Sequence, residues 1–312
     1  MKNILRSLIV FVVLLLNAAA ASAAEKELQG SLTLSGAWAI YPTAVGWAEA
    51  FQKIHPKVKI DISAGGAGKG AADAIVGLVD IGMVSRDPDP AELKKGISAV
   101  YILKDAVYPV VSDKNFFFSD LLKKGLKKQT FFDIYVSGII TTWNQAVGGK
   151  NNKPIHIYTR SDSAGAAAGW AAYLGKKQED LRGVGVYGDP GLLDAVKRDP
   201  VGVGYNNFSF VFTREGPLIP GIKLIPIDSN ENGMADADEI YENRQQAVAA
   251  IESGRYPAKR KNFFFIKKRP NELAKEFIRF ALSEEGAKIV DAVGTSLPIS
   301  RREREEILKD LE

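Results

Sequence analysis

The sequence contains no cysteine and only two histidines, His55 and His156. Disulfide bonds, thiol catalysis and cysteine-ligated zinc or iron–sulfur sites are therefore excluded, and one chain cannot form a three-histidine metal site. Motifs that pair a nucleophile with a neighbouring base are also missing from the 312 residues. We therefore expect a protein that is not an enzyme.

The sequence also lacks a large excess of either charge. The 41 lysines and arginines exceed the 37 aspartates and glutamates by only four, so we expect no nucleic-acid partner. Hydrophobic residues make up 46% of the chain and charged residues 25%, which is typical of a soluble globular protein. At roughly 150 residues per domain, the length predicts two domains.

The amino terminus has the pattern of a secretory leader. Lys2 and Arg6 precede nine apolar residues at 8–16, and the small residues at 21–23 fit a cleavage site. The apolar run is shorter than the roughly 20 residues that span a bilayer, although a membrane anchor is the alternative. We predict that residues 1–23 are a signal peptide, and that the cleaved protein is periplasmic or secreted with no membrane span.

Beyond residue 23, β-rich runs alternate with helical patterns, an order typical of an α/β layer with parallel strands. In the first half, we predict strands at 31–35, 58–63 and 80–84 and helices at 42–54 and 71–78. After a break near residues 106–115 the pattern restarts. There we predict strands at 155–159 and 201–205, helices at 131–137 and 164–174, an extended segment at 255–267, and helices at 272–282, 285–293 and from 301.

Four segments place backbone amides or polar side chains where a predicted strand meets a helix: 35–42, 65–70, 85–87 and 159–166. The amides at a helix amino terminus attract anions, and ligands bind beyond the carboxyl ends of strands in open α/β sheets. We therefore predict a cleft that closes on a small anion. Its candidate ligand-binding residues are Trp38, Ala39, Ile40, Ala67, Gly68, Ser85, Arg86, Arg160, Ala164, Gly165 and Ala166.

Alternatives stay open within these segments. The glycine-rich segment at 65–70 fails the Walker pattern, because Gly70 follows Lys69, and it is as typical of a flexible connection as of a binding loop. Arg160 either clamps an anion or pairs with Asp162. Trp38 either belongs to the core or lines the cleft.

Residues 228–239 match the calcium-loop template D-x-[DN]-x-[DN]-G-x5-E at every fixed position. The spacing lets side-chain oxygens converge as the chain turns at Gly233, and a helical pattern follows at 240–251. An acidic surface turn that caps this helix is the alternative. We predict a single structural calcium site whose ligands are Asp228, Asn230, Asn232, Met234, Asp236 and Glu239.

Further motifs carry a family resemblance. They are Gly36 with Tyr41-Pro42, the Gly65–Gly70 loop, Val79–Gly82 with Ser85-Arg86, Arg160 with Asp162 and Gly165, Gly204-Tyr205, Gly254–Pro257 with Arg260, and Phe277, Phe280, Gly286, Gly294 and Leu297-Pro298. Over most of the chain beyond residue 23, the sequence resembles the PstS-like phosphate-binding periplasmic proteins of ABC transporters, a family of type 2 solute-binding proteins.

The resemblance implies a two-lobed periplasmic-binding-protein fold of the α/β class, type 2. Each lobe would be a mixed sheet flanked by helices, and two crossover strands near 106–111 and 256–265 would join the lobes. Lobe 1 would be discontinuous, with residues 24–107 and 257–312, and lobe 2 would cover 108–256. The expected partners are a small anion, most often phosphate, and an ABC permease of the inner membrane, with the binding protein itself a monomer.

The sequence departs from the family where anion-binding hydroxyls are expected. Trp38 and Ala39 stand in the first segment, Ala67 and Lys69 in the glycine loop, and Ala164 and Ala166 in the last segment. A site that hydrogen-bonds an oxyanion discriminates through such donors. The alternative function is therefore an extracellular scaffold or binding protein on the same fold, with a lost or altered phosphate site.

Overall fold

The computed structural model describes residues 27–311, so the predicted signal peptide lies outside the described residues. Within residues 27–311, none of the helices combines the length and the apolar character needed to cross a membrane.

The described chain alternates strands and helices as predicted. The strands are β1 (Gly30–Gly36), β2 (Val58–Ala64), β3 (Ile81–Val84), β4 (Ile97–Ser112), β5 (His156–Arg160), β6 (Val184–Val186), β7 (Gly202–Asn207), β8 (Ile222–Leu224), β9 (Lys259–Lys267) and β10 (Leu297–Pro298). The helices are α1 (Tyr41–Ile54), α2 (Ala67–Val76), α3 (Pro90–Leu93), α4 (Phe118–Lys124), α5 (Lys128–Phe132), α6 (Trp143–Val147), α7 (Gly165–Tyr173), α8 (Gly188–Arg198), α9 (Arg244–Glu252), α10 (Glu272–Ala281), α11 (Glu284–Val293) and α12 (Arg301–Asp310).

The strands form one mixed sheet with the order β2-β1-β3-β9-β4-β7-β5-β6, and β8 and β10 also pair with β4. The pairs β1–β2, β1–β3, β5–β6 and β5–β7 are parallel, whereas β9 and β4 run antiparallel to their neighbours. Crossover connections of the βαβ type produce the parallel pairs and bring the carboxyl ends of their strands to one edge. The predicted α/β fold with mixed sheets and flanking helices is confirmed.

Two hydrophobic cores lie along this sheet, and β4 and β9 pass from one to the other. Along β4 the first core ends at Leu103 and the second begins at Ala106. Before β9 the second core includes Ala258, and the first core resumes at Phe263. We call these two halves lobe 1 and lobe 2, and the β4–β9 pair the hinge strands. The predicted division at 107/108 and 256/257 into independent units stays a prediction.

Helix α1 shows how the sequence directs this packing. Pro42 suits the first turn of a helix because that position needs no amide donor. Trp47 and Phe51 lie four residues apart on one face, and both are buried in the lobe 1 core. The indole Nε1 of Trp47 donates a 2.9 Å hydrogen bond to the carbonyl of Gly286, which satisfies its polar atom in the core.

Two predicted helix starts are wrong. Helix α2 begins at Ala67, earlier than the predicted residue 71, because Gly66 takes a left-handed φ of +92° and completes the turn within the glycine loop. Helix α9 begins at Arg244, later than the predicted residue 240, because the Asn243 side chain caps it by accepting from the Gln246 amide at 3.0 Å. The predicted helix at 131–137 divides into the end of α5 and a π-helical turn.

Candidate functional site

Three of the four predicted segments meet at the junction of the two lobes. The amide of Gly68 at the start of α2 donates a 2.9 Å hydrogen bond to the carbonyl of Ser163 in lobe 2. Gly165, the first residue of α7, lies so close to Ser85 that a β-carbon placed on it would be 2.4 Å from the Ser85 carbonyl oxygen. The loops that follow β2, β3 and β5 therefore close directly on one another.

Trp38 brings the first segment to the same junction. Its ring packs edge-to-face on Tyr187 of lobe 2, with the centroids 6.4 Å apart. It also lies 3.5 Å from the position that a β-carbon on Gly188 would take. The indole is half-buried, and its Nε1 is buried without a hydrogen-bond partner among the described residues. Trp38 therefore belongs to the boundary between the lobes and not to the core of one lobe.

Four helices begin at this junction without a hydrogen bond from the side chain of their own N-cap residue: α1, α2, α7 and α8. The first amides of a helix lack partners within the helix, so they bind side chains, water or ligands. Some find local partners, because Ala164 donates to the Gln178 side chain at 3.0 Å and Gly188 donates to Asp162 at 3.1 Å. The amino ends of several helices thus direct partial positive charge toward one place.

Arg160 is the buried cation of the junction, with a side chain only 1% exposed. Its guanidinium forms a two-pronged ion pair with Asp162, at 2.8 and 2.5 Å. Its Nη1 also lies 2.8 Å from Asp189 Oδ1, but this contact lacks hydrogen-bond geometry, so both atoms are without a hydrogen-bond partner. Arg160 therefore pairs with Asp162, and its Nη1 lies against the Asp189 carboxylate.

Burial controls the protonation of this cluster. Burial raises the pKa of Asp189, and the nearby guanidinium groups of Arg160 and Arg260 offset this effect only in part. Burial alone would lower the pKa of Arg160, but Asp189 and Asp162 outweigh it and raise that pKa. The Arg160 cation thus faces a buried carboxylate, Asp189, that is easier to protonate than an ordinary aspartate.

The other basic candidates are already balanced by carboxylates. Arg86 forms a two-pronged ion pair with Glu92, at 2.6 and 2.9 Å. Burial would raise the pKa of Glu92, but its hydrogen bonds with Arg86 and the Asp89 amide hold it below the usual value. Lys69 also forms an ion pair, with one carboxylate oxygen of Asp73. The predicted contact of Arg86 with a ligand stays a prediction. Arg160 is itself balanced by Asp162 and Asp189, so attraction for an anion falls mainly to the helix amides.

The turn between β6 and α8 is not among the four predicted segments. This turn supplies Tyr187, Gly188 and Asp189, which contact Trp38, Asp162 and Arg160. A signal was present, because a Gly-Asp-Pro sequence follows the short apolar run 184–186, and this composition is typical of a turn that opens a helix.

The two histidines lie away from the junction. His55 ends α1, and His156 begins β5, where its Nδ1 lies 2.7 Å from Asp199 Oδ2. Burial would raise the pKa of Asp199, but hydrogen bonds from the Val201 amide, His156 and the Tyr158 hydroxyl lower it below 3.8. These contacts give His156 a structural partner at the edge of lobe 2.

The predicted calcium loop buries two carboxylates. Asp228 is 1% exposed and accepts from the amides of Asn232 and Gly233, at 3.1 and 2.9 Å. Glu239 is 8% exposed and accepts from the Ser229 and Asp236 amides, at 2.6 and 3.2 Å. The loop thus winds around its first and last carboxylates, as the template predicts.

Other features of the loop differ from the prediction. The side-chain amides of Asn230 and Asn232 donate to Asp236, at 2.7 and 3.0 Å, and the Met234 amide donates to Asn232 at 2.8 Å. Within residues 27–311, no three acidic or imidazole side chains are gathered closely enough to hold a metal ion as they stand. The oxygen donors match the chemistry of calcium, but these side chains would have to turn to bind it.

Comparison with known proteins shows which family this chain matches. A family described as a PBP superfamily domain matches residues 21–285. A phosphate-binding protein PstS from Bacillus subtilis is 26% identical over 276 residues, which cover 88% of this chain and 83% of that protein. A phosphate-binding protein PstS from Pseudomonas aeruginosa is 24% identical over 302 residues, which cover 91% of this chain and 88% of that protein.

A solved structure gives the same result. The crystal structure of a phosphate ABC transporter substrate-binding protein from Clostridium perfringens, with bound phosphate, is 26% identical and superposes with a TM-score of 0.70. The match covers 87% of this chain and all of that one. The resemblance stated from the sequence motifs is thus confirmed, and the chain belongs to the PBP superfamily as a PstS-like protein.

Proposed function

We propose that this protein is an exported solute-binding protein that captures phosphate between its two lobes and delivers it to an ABC permease. The observation that carries the proposal is the convergence of uncapped helix amino ends from both lobes around the buried Arg160. Such ends bind phosphate through backbone amides, without the hydroxyl side chains that this sequence lacks. The role is binding, not catalysis, and its compartment is periplasmic or extracellular, as the amino-terminal pattern predicts.

Lobe closure would couple capture to delivery. The Gly68–Ser163 hydrogen bond and the contact of Trp38 with Tyr187 exist only while the lobes touch. A ligand that contacts both lobes favours this closed arrangement by its differential affinity. A permease that recognises both lobes together would therefore discriminate loaded protein from empty protein.

The experiment is calorimetric titration of inorganic phosphate into residues 24–312, refolded after removal of bound ligand, with sulfate as the comparison anion. We expect one-to-one binding of phosphate. Ser85→Ala should weaken it at least tenfold, because a hydrogen bond to a charged group is worth about 1.5–3 kcal/mol. Ser209→Ala is the matched control, since this hydroxyl has no hydrogen-bond partner in the described residues.

The titration also tests the alternative. The missing hydroxyls and the direct Gly68–Ser163 contact favour an extracellular scaffold with a lost or altered site. Absence of binding heat for phosphate at several temperatures would reject phosphate capture and support that alternative. Equal affinity of the wild type and Ser85→Ala would reject the placement of the ligand at this junction.

We also propose that residues 228–239 bind one calcium ion that stabilises lobe 2. Support comes from the burial of Asp228 and Glu239 and from left-handed backbone at Glu231 and Gly233, with φ of +60° and +84°. Two buried carboxylates without a cation are costly, so a bound cation would remove this cost. The ion would be held by oxygen donors of this loop alone, at a distance from the junction of the lobes.

Thermal unfolding with calcium or with a chelator tests this site. Calcium should raise the melting temperature of the wild type, and Glu239→Ala should abolish the increase. Glu242→Ala is the matched control, because this glutamate lies just outside the loop. Identical melting curves for the wild type with calcium and with the chelator would reject the site.

A further inference from the structure

A cavity beside the hinge strands carries cations that the proposed phosphate site does not use. Its volume is about 580 Å³. The two lobes both contribute to its walls, with Tyr101, Lys104 and Phe263 on one side and Ile251 and Gly254 on the other. Sites that hold drug-sized molecules measure roughly 300–1,000 Å³, so this hinge cavity has room for much more than one oxyanion.

Three lysines concentrate positive charge in the hinge cavity: Lys104, Lys259 and Lys261. Lys104 stands directly opposite Lys261 in the antiparallel register of β4 and β9. Like charges in directly opposed positions repel, and the nearby Glu303 carboxylate offsets part of this repulsion. Lys259 donates only to a backbone carbonyl, that of Gly254, at 3.2 Å.

Three acidic residues lie at the hinge cavity or near it. Asp87 and Glu252 line the cavity, and both are exposed. Glu303 of α12 lies near the lysine pair. Burial would raise its pKa, but hydrogen bonds from Ser300 lower it, with smaller contributions from the two lysines. The three lysines and these three carboxylates carry equal and opposite charge, but none of the lysines lies within ion-pairing distance of a carboxylate among the described residues.

Arg260 adds a buried donor without a partner. Its side chain is 6% exposed and pairs with Asp105 at 2.5 Å, yet its Nη1 has no hydrogen-bond partner among the described residues. Arg260 lines the hinge cavity and also an adjoining cavity of about 370 Å³ beside Gly169 of α7. A buried donor that is left unsatisfied costs roughly 1–3 kcal/mol, and an incoming acceptor would remove that cost.

We propose that the hinge cavity binds an anion with two or more linked phosphoryl groups. An ammonium group is a compact point charge that suits phosphoryl oxygens, and three of them suit a ligand with several such groups. Tyr101 and Phe263, whose ring centroids lie 5.7 Å apart, form an aromatic wall against which an organic part of the ligand packs. The candidate ligand-binding residues of the cleft do not line this cavity, although Arg86 lines the adjoining one.

The probe is inorganic tripolyphosphate, titrated into residues 24–312 with saturating orthophosphate present. We expect one-to-one binding that Lys259→Gln/Lys261→Gln weakens at least tenfold. The matched control is Lys94→Gln/Lys95→Gln, which makes the same charge change at an exposed pair elsewhere in lobe 1. All four lysines are at the surface or near it, so each variant should keep the wild-type melting temperature.

Three outcomes would overturn the proposal. They are no binding of tripolyphosphate to the wild type, equal losses in the two double variants, and displacement of tripolyphosphate by orthophosphate. The last outcome would place the ligand in the cleft between the lobes. Repeating the titration without orthophosphate separates this test from that of the proposed function, because hinge binding does not require a working phosphate site.

Discussion

Substitution of Gly165 by alanine should act as a wedge between the lobes. The added β-carbon would lie 2.0 Å from the Ser85 hydroxyl oxygen and 2.4 Å from the Ser85 carbonyl oxygen. The hydroxyl can rotate away, but the carbonyl belongs to the backbone at the end of β3. An ordinary contact of 3.4 Å therefore requires the lobes to separate by about 1 Å at this point.

The added methyl group destabilises the closed arrangement of the two lobes. Overpacking of this kind costs about 1–3 kcal/mol. If only the closed arrangement binds phosphate tightly, the apparent dissociation constant rises by about 5- to 150-fold. Separation also strains the 2.9 Å hydrogen bond from Gly68 to Ser163. The substitution should not destabilise either lobe by itself, because a helix favours alanine over glycine by up to about 1 kcal/mol.

Two measurements check this prediction: calorimetric titration of phosphate, and small-angle X-ray scattering with and without the ligand. Gly191→Ala is the matched control, since it adds the same methyl group to helix α8 of the same lobe and meets only a Val186 methyl at 3.2 Å. The variant Gly165→Ala should have a larger radius of gyration than the control at saturating phosphate. Equal affinity and equal radius in the two variants would refute the close contact of Gly165 with Ser85.

Three further predictions concern single side chains. Asp199→Asn should cost about 1 kcal/mol of unfolding free energy above pH 4, because the pKa of this aspartate is lower in the folded protein than in the unfolded chain. This contribution is lost as the pH falls through the folded pKa, so melting temperatures of wild type and variant should converge in strong acid. Asp105→Ala should cost about 3–5 kcal/mol in urea unfolding, because it leaves the buried Arg260 guanidinium without its carboxylate. Trp38→Phe should remove the change in tryptophan fluorescence on phosphate binding, because the other three tryptophans are fully buried in the core of one lobe, whereas Trp38 packs on Tyr187 of the other lobe.

Local patterns predicted most of the fold. The alternation of strands and helices can be recognised within windows of about ten residues, and most of the predicted strands and helices are present. The predicted break at 106–115 was wrong, because β4 runs through most of it, and the helices α4, α6 and α8 were not predicted. The ends of helices were harder to predict, because a single contact can determine where a helix begins. Helix α9 begins where the Asn243 side chain caps it, although the apolar pattern extends further toward the amino terminus.

Tertiary pairing explains what the sequence could not predict at the junction. The contact of Arg160 with Asp162 was one of two stated alternatives, since the residues are close in sequence. Its second partner, Asp189, comes from a different strand–helix turn, and only the order of strands in the sheet brings the two together. Arg86 was predicted to face the ligand, but the capping turn of α3 places Glu92 within reach of its guanidinium.

The position of β9 determines the order in which the protein can fold. This strand lies between β3 and β4, and its residues 263–265 pair with residues 82–84, about 180 positions earlier. During synthesis, the first lobe therefore cannot complete its sheet until nearly the whole chain has been made, whereas the second lobe draws its core, apart from Leu297, from the single stretch 106–258. Contacts of such long sequence separation form slowly. The first lobe is thus the late-folding half, and a chain that stops before β9 would leave β3 and β4 as unpaired sheet edges.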